Sequence, residues 1–171
     1  ALGTAAAWST AAVLWGEPSD VYSLNYGFWV QSISGAVGCV GFAILFNIHG
    51  SGLVAAFLGG ALTWMVYLVV MHFGYGVIAA NFWASLFAGF FAEVMARLRK
   101  KPALGYLVVS IFPLLPGAGV YYTMNYAVRR QMEMFAETGM RTAAIAGIMA
   151  VGILLASTLV RMQNIWRAQR K

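Results

Sequence analysis

The sequence predicts an all-α membrane protein of about five transmembrane helices, the fourth broken in its middle. Three observations carry this. First, of 171 residues 61% are hydrophobic and only 9% are charged, whereas a soluble domain is about half apolar and about a quarter charged. Second, the charges are segregated: positions 21–92, 102–128 and 142–160 contain no Asp, Glu, Lys or Arg. No water-facing surface can be built from such runs, and apolar stretches of about 18 residues or more read as membrane-spanning helices. Third, the run 102–128 contains Pro113, Pro116, Gly117 and Gly119, residues that a continuous helix does not tolerate. An ordinary cytosolic globule, a disordered tail and a nucleic-acid arm are excluded, despite a net charge of +6. A β-barrel is excluded because barrel strands alternate apolar and polar residues, and these runs are apolar on every face.

Taken in order, residues 1–23 form an apolar N-terminal segment. Its first 16 residues lack a basic n-region and so do not resemble a secretory signal. They read as an interfacial helix or as the remnant of a longer one. The first span covers about 24–46. The segment "NIHGSG" at 47–52 is a turn, the second span covers 53–72, and "HFGYG" is the next turn, since Gly, Asn and Ser permit tight connections. The third span covers 76–96. "RLRKKP" at 97–102 is a solvated basic loop, with Pro102 marking the restart. The fourth span covers 103–127. A polar amphipathic stretch follows, with Arg129 and Arg130 expected to pair with Glu133 and Glu137 on an interfacial helix. The fifth span covers 142–161, and 163–171 is a basic tail.

The Lys/Arg distribution orients these spans. Placing loop 97–102 inside collects Arg97, Arg99, Lys100, Lys101, Arg161, Arg167, Arg170 and Lys171 there, and leaves Arg129, Arg130 and Arg141 outside. The C-terminus is then cytoplasmic. Glu17 and Asp20 fall outside, Tyr22, Tyr26 and Trp29 form an outer aromatic belt, and Tyr106 and Trp166 lie at the inner interface. Small residues recur four apart at Ser34/Gly38, Ala56/Gly60, Ser85/Gly89 and Gly152/Ala156. Such pairs let helix backbones approach in lipid, here chiefly within the chain.

Span four breaks the rules of its own element. Pro113 and Pro116 displace the carbonyls of Val109 and Phe112, four residues earlier. Hydrocarbon offers no water to such groups, so a break persists only where protein or a wet cavity surrounds it. Discontinuous mid-membrane helices are a device of secondary transporters. The second half-helix begins near Gly117 with free N–H groups and a partial positive charge, suited to a carboxylate. Gly117 and Gly119 allow close approach. Tyr121, Tyr122, Thr123 and Asn125 add hydroxyl and amide groups, with Tyr121 and Asn125 on one face. Together these would cradle a small zwitterion or acid. A structural proline kink packed by its neighbours fits the composition equally well.

"FPLLPGAGVYYTM" at 112–124 and "GFAILFN" at 41–47 resemble two motifs of the threonine/serine exporter (ThrE) family, and the resemblance covers about residues 27–162. It is closest to the short, C-terminal-type component of a split exporter. This implies export of small hydroxy amino acids driven by the proton motive force, in a bacterial cytoplasmic membrane. The implied partner is a larger membrane subunit, or further copies of the chain. Split members are also associated with export of dicarboxylates such as succinate. The family's motif residues fall on Pro113, Pro116, Gly117, Tyr121, Thr123 and Asn47. A scaffold subunit or a homo-oligomeric channel is the reading from another class.

Other residues weigh less. Glu93 is the one acid inside a span, a candidate for proton coupling, although Arg97 four residues on suits an ion pair. Asn47 reads as a helix C-cap or as a polar group of the inner vestibule. His49 and His72 lie at opposite ends of span two, roughly 34 Å apart at 1.5 Å per residue, and cannot share a metal. His72 alone could titrate near neutrality. Met124, Met132, Met134 and Met140 read as packing. The lone Cys39 cannot form an intrachain disulfide. No nucleophile–base pair, metal cluster or cofactor motif points to an enzyme, and neither a cofactor nor nucleic acid is expected.

Overall fold

A computed structural model describes residues 28–48 and 50–169. Within them the protein is all-helical: α1 (Phe28–Leu45), α2 (Ser51–His72), α3 (Val77–Arg99), α4 (Ala103–Ile111), a 3-10 turn (Phe112–Leu114), α5 (Gly117–Val128) and α6 (Met132–Gln169). The sequence expectations for residues 1–16, Glu17, Asp20, Tyr22, Tyr26, His49, Arg170 and Lys171 lie outside the described residues, as do those for the side chains of Trp29, Ser34, Trp166 and Arg167.

Three helices are long and apolar enough to cross a membrane, or four if the bent pair α4–α5 is one span. The sequence predicts about five. The difference lies in α1, which has 18 described residues and begins where the description does.

Helix ends follow local chemistry. Asn47 closes α1 with φ 57, a left-handed conformation that asparagine adopts more readily than most residues. Its N–H donates to Ile44 and that of Ile48 to Ala43, at 3.0 and 2.9 Å, which is a Schellman cap. Gly74, at φ 82, ends the second helix. Arg130, at φ 57, ends α5, with Gln131 N–H donating to Tyr126 O at 2.9 Å.

α6 corrects the expected division into an interfacial helix and a span. It is one helix of 38 residues, about 57 Å long at 1.5 Å per residue, well beyond a hydrocarbon core of about 30 Å. Nothing in 132–141 stops a helix: it has no proline, and Met, Glu, Ala and Arg all favour the conformation. Arg129 and Arg130 instead occupy the preceding turn, off the helix that carries Glu133 and Glu137. The expected pairs therefore do not form among the described residues, because four-residue spacing brings side chains together only within one helix. Met124, Met132, Met134 and Met140 are exposed, not packed, since they sit where α5 and the start of α6 stand clear of the other helices. Tyr106 is buried against Ala55 and Ala92.

The bundle is held by close contacts at small residues. Gly60 of α2 lies against Cys39 and Ala36 of α1, and Gly89 of α3 against Ala156 and Ile153 of α6. Gly152 of α6 faces Ser85, with the Phe82 carbonyl 2.9 Å and the Leu86 nitrogen 3.1 Å from where a Cβ would stand. The predicted pairs Ser85/Gly89 and Gly152/Ala156 are thus the two sides of one α3–α6 seam. This is packing without much help from water exclusion, in which small side chains let the backbones meet.

Candidate functional site at the broken helix

The break exists, and Leu114 within it is buried. α4 and α5 meet at 59°. Leu114, in the 3-10 turn, packs with Ala84 of α3 and Met149 of α6, flanked by Trp64, Tyr67 and Ile145. Phe112 packs beside Cys39, Ala43 and Val109, its ring centroid 3.6 Å from that of Phe42. Pro113 lies against Gly35 of α1, with Trp64 alongside. The turn thus threads between α1, α2, α3 and α6, which is how non-helical backbone is tolerated at membrane depth.

Both carbonyls displaced by the prolines find donors. Val109 O accepts the N–H of Phe112 and the buried thiol of Cys39, the latter at 3.1 Å. Phe112 O accepts the N–H of Leu115 at 3.2 Å. Cys39, uninformative as a disulfide candidate, repairs the break from the neighbouring helix.

The downstream end is more closed than the sequence implies. Pro116 has φ −77 and ψ 52, the centre of an inverse γ-turn, and the N–H of Gly117 turns back to Leu115 O at 2.7 Å. Two amides, of Ala118 and Gly119, remain without a backbone acceptor among the described residues, and Gly117 and Ala118 are exposed.

The candidate residues of α5 divide between two faces. Gly119 and Thr123 face α6: a Cβ on Gly119 would strike Thr142, and Thr123 Cγ2 is 3.3 Å from where Gly139 would carry one. Thr123 Oγ1 donates to its own Gly119 carbonyl at 2.7 Å. Tyr121 and Asn125 are half-buried one turn apart, and Tyr121 stands edge-on to Tyr122, with centroids at 5.3 Å. α5 packs on α6 and on no other described helix, so no other described helix covers its remaining faces. Asn47 caps the C-terminal end of α1, about one turn beyond Phe42 and Ala43, which pack with Phe112. Glu93 is half-buried on α3, and no Glu93–Arg97 ion pair forms among the described residues. Exposed ion pairs stabilise little against the side-chain entropy they cost. No group of three or more His, Cys, Asp or Glu suited to a metal occurs among the described residues.

Sequence reasoning passed over three groups beside the break. Thr63 Oγ1, Trp64 Nε1 and Ser110 Oγ are buried without a hydrogen-bond partner. Each such group costs about 1–3 kcal/mol relative to a satisfied one. A signal was present: Thr63 is the one Ser or Thr in 53–72, and Ser110 the one in 103–122.

A sequence profile described as Threonine/Serine exporter, ThrE, matches residues 31–159, which is most of the chain and includes the whole broken helix. The chain belongs to the threonine/serine exporter family. No solved structure matches it. The family is one of membrane transporters, so the apolar helices are those of a multi-pass membrane protein, with lipid around them and a small solute as cargo. In this threonine/serine exporter family member the break sets non-helical backbone against α1, α2 and α3.

Proposed function

We propose that this chain is a component of a secondary active exporter for small hydroxy amino acids such as threonine and serine, and that solute passes at the α4–α5 break. One observation carries this: the break is packed against α1, α2 and α3, while among the described residues α5 leads away in contact with α6 alone. A half-helix with an uncovered face is half of a binding site, and transporters commonly place their site between two repeats. In this reading Pro113 and Pro116 hold the backbone open, and Gly117 and Gly119 keep the N-terminal end of α5 accessible to a carboxylate. Tyr121, Tyr122 and Asn125 present polar groups to the solute, and Thr123 secures α5 against α6. Asn47 shapes the inner mouth, and Glu93, an acid within a span, couples protons to transport. The proton motive force drives the cycle. The second half is a larger exporter subunit or another copy of the chain. The membrane is the bacterial cytoplasmic membrane with the C-terminus inside, as the basic residues place it.

The test is efflux from threonine-loaded cells co-expressing the candidate larger subunit. Pro116→Ala and Asn125→Ala are expected to reduce efflux at least about tenfold, or 1.4 kcal/mol in transition-state terms, with membrane abundance unchanged. Unaltered efflux in both variants rejects the site. Serine and succinate measured in parallel identify the preferred cargo.

A further inference from the structure

The hydroxyl groups of this chain behave in two ways. Ser85, Thr123, Thr142 and Ser157 each donate to a carbonyl three or four residues back in their own helix, at 2.7–3.0 Å. That is the ordinary resolution for a hydroxyl in an apolar helix. Thr63 and Ser110, both fully buried, make no such bond, and neither does the indole N–H of neighbouring Trp64.

These three groups border the packing of α2 on α4 and on the 3-10 turn. Ser110 Oγ points at Gly59 of α2, where a Cβ would collide with it and with Phe91. Thr63 is one turn further along the same face of α2. Trp64 lies beside Gly35 and Pro113, within 4.0 Å of where Gly35 would carry a Cβ. The 3-10 turn beginning at Phe112 follows directly after Ser110, and α2 packs against both α4 and that turn. Gly59 is therefore the residue that admits a polar atom into this contact.

We propose that Thr63, Trp64 and Ser110 form an inner recognition site, distinct from the α5 end of the break, that reads a hydroxyl group on the passing solute. The inference rests on the exporter reading and adds to it the residues that select for the hydroxyl. Two hydroxyls that donate and accept, with one indole N–H that only donates, match a group that itself donates and accepts. The neighbouring side chains Phe91, Leu114 and Tyr67, the last stacked on Trp64, are uncharged, so the site suits a neutral hydroxyl and not a carboxylate. In the closed bundle the three groups wait without partners. As the helices part, solute supplies the missing bonds, and an analogue lacking the hydroxyl leaves them unmade. A site of this design discriminates strongly against the deoxy analogue.

The experiment uses the full-length chain in membrane vesicles of cells that also express its exporter partner. It compares flux of threonine with that of 2-aminobutyrate, which is threonine without its hydroxyl. In Ser110→Ala and Thr63→Val the threonine-to-2-aminobutyrate ratio is expected to fall at least about tenfold, with 2-aminobutyrate flux retained. A second measurement reads the same variants by thermal unfolding of the purified protein. Removing a hydroxyl that has no partner should leave the Tm unchanged or raise it. Threonine flux with an unchanged ratio overturns the proposal, and so does a lowered Tm, which would reveal a structural partner for these hydroxyls. If the wild-type vesicles carry no threonine, the exporter reading fails and this proposal falls with it. If they carry threonine while the ratio stays unchanged, this proposal fails alone.

Discussion

The α3–α6 seam allows a sharp test, because α6 carries two glycines in opposite situations five residues apart. At Gly152 an added methyl would stand 2.9 Å from Phe82 O and 3.1 Å from Leu86 N, and it would also strike Ser85 Oγ. Ser85 can rotate away only by giving up its 2.9 Å bond to Phe82 O, about 1 kcal/mol. The two backbone atoms cannot rotate, so the helices must separate by a few tenths of an ångström along the seam. Overpacking of this kind costs about 1–3 kcal/mol. Alanine returns about 1 kcal/mol through helix propensity. Gly152→Ala is therefore expected to destabilise by about 1–3 kcal/mol net. At Gly147 nothing lies within 4 Å of the added methyl, so Gly147→Ala should stabilise by the propensity term alone, about 1 kcal/mol. The two variants should differ by about 2–4 kcal/mol, or roughly 4–15 °C in Tm at about 2–4 °C per kcal/mol. Thermal unfolding of detergent-purified protein, followed by size-exclusion fluorescence, measures the difference. Equal Tm values for the two variants would refute the close backbone contact and the helix arrangement built on it.

Other outcomes follow from single contacts. Cys39→Ala removes one of two donors to Val109 O and should lower stability by about 1 kcal/mol, read in the same unfolding assay. The thiol of folded wild-type protein, being fully buried, should resist a membrane-permeant maleimide and react only after denaturation. Asn47→Val should lower the stability by about 1–2 kcal/mol, the penalty of a left-handed β-branched residue at φ 57. Gly119→Val should push α5 away from Thr142 and reduce efflux; full efflux with normal stability would show that the α5–α6 contact is dispensable to transport.

Much of the architecture was readable because proline and charge act locally. Pro113 and Pro116 forbid a continuous helix whatever surrounds them, and the basic stretch expected as a loop forms the last turn of α3 at Arg97–Arg99 and the short connection at 100–102 before α4. Other features were not readable because they depend on what faces what. The small-residue pairs at 85/89 and 152/156 were visible as patterns, but nothing in either pattern says that they meet each other. Arg129 and Glu133 have helical spacing yet fall on opposite sides of a helix start. Cys39 and Val109 are 70 positions apart, so the thiol that repairs the break could not be matched to it by pattern. At the candidate site, the amide-bearing end of α5 was visible from the order Pro-x-x-Pro-Gly. The division of α5 into an α6-facing side at Gly119 and Thr123 and an exposed side at Val120 and Met124, with Tyr121 and Asn125 half-buried, was not.

From its sequence alone, this chain had to be a bundle of apolar helices interrupted once, because hydrocarbon tolerates neither unpaired charge nor an open peptide group, and two prolines guarantee the latter. Only the folded bundle decided how that interruption is tolerated. Leu114 is buried and Phe112 half-buried among the helices, a thiol on one helix serves a carbonyl on another, and two hydroxyls beside them are left unserved. Side-chain partners across a bundle are set by helix rotation and distance, quantities that no single helix encodes by itself.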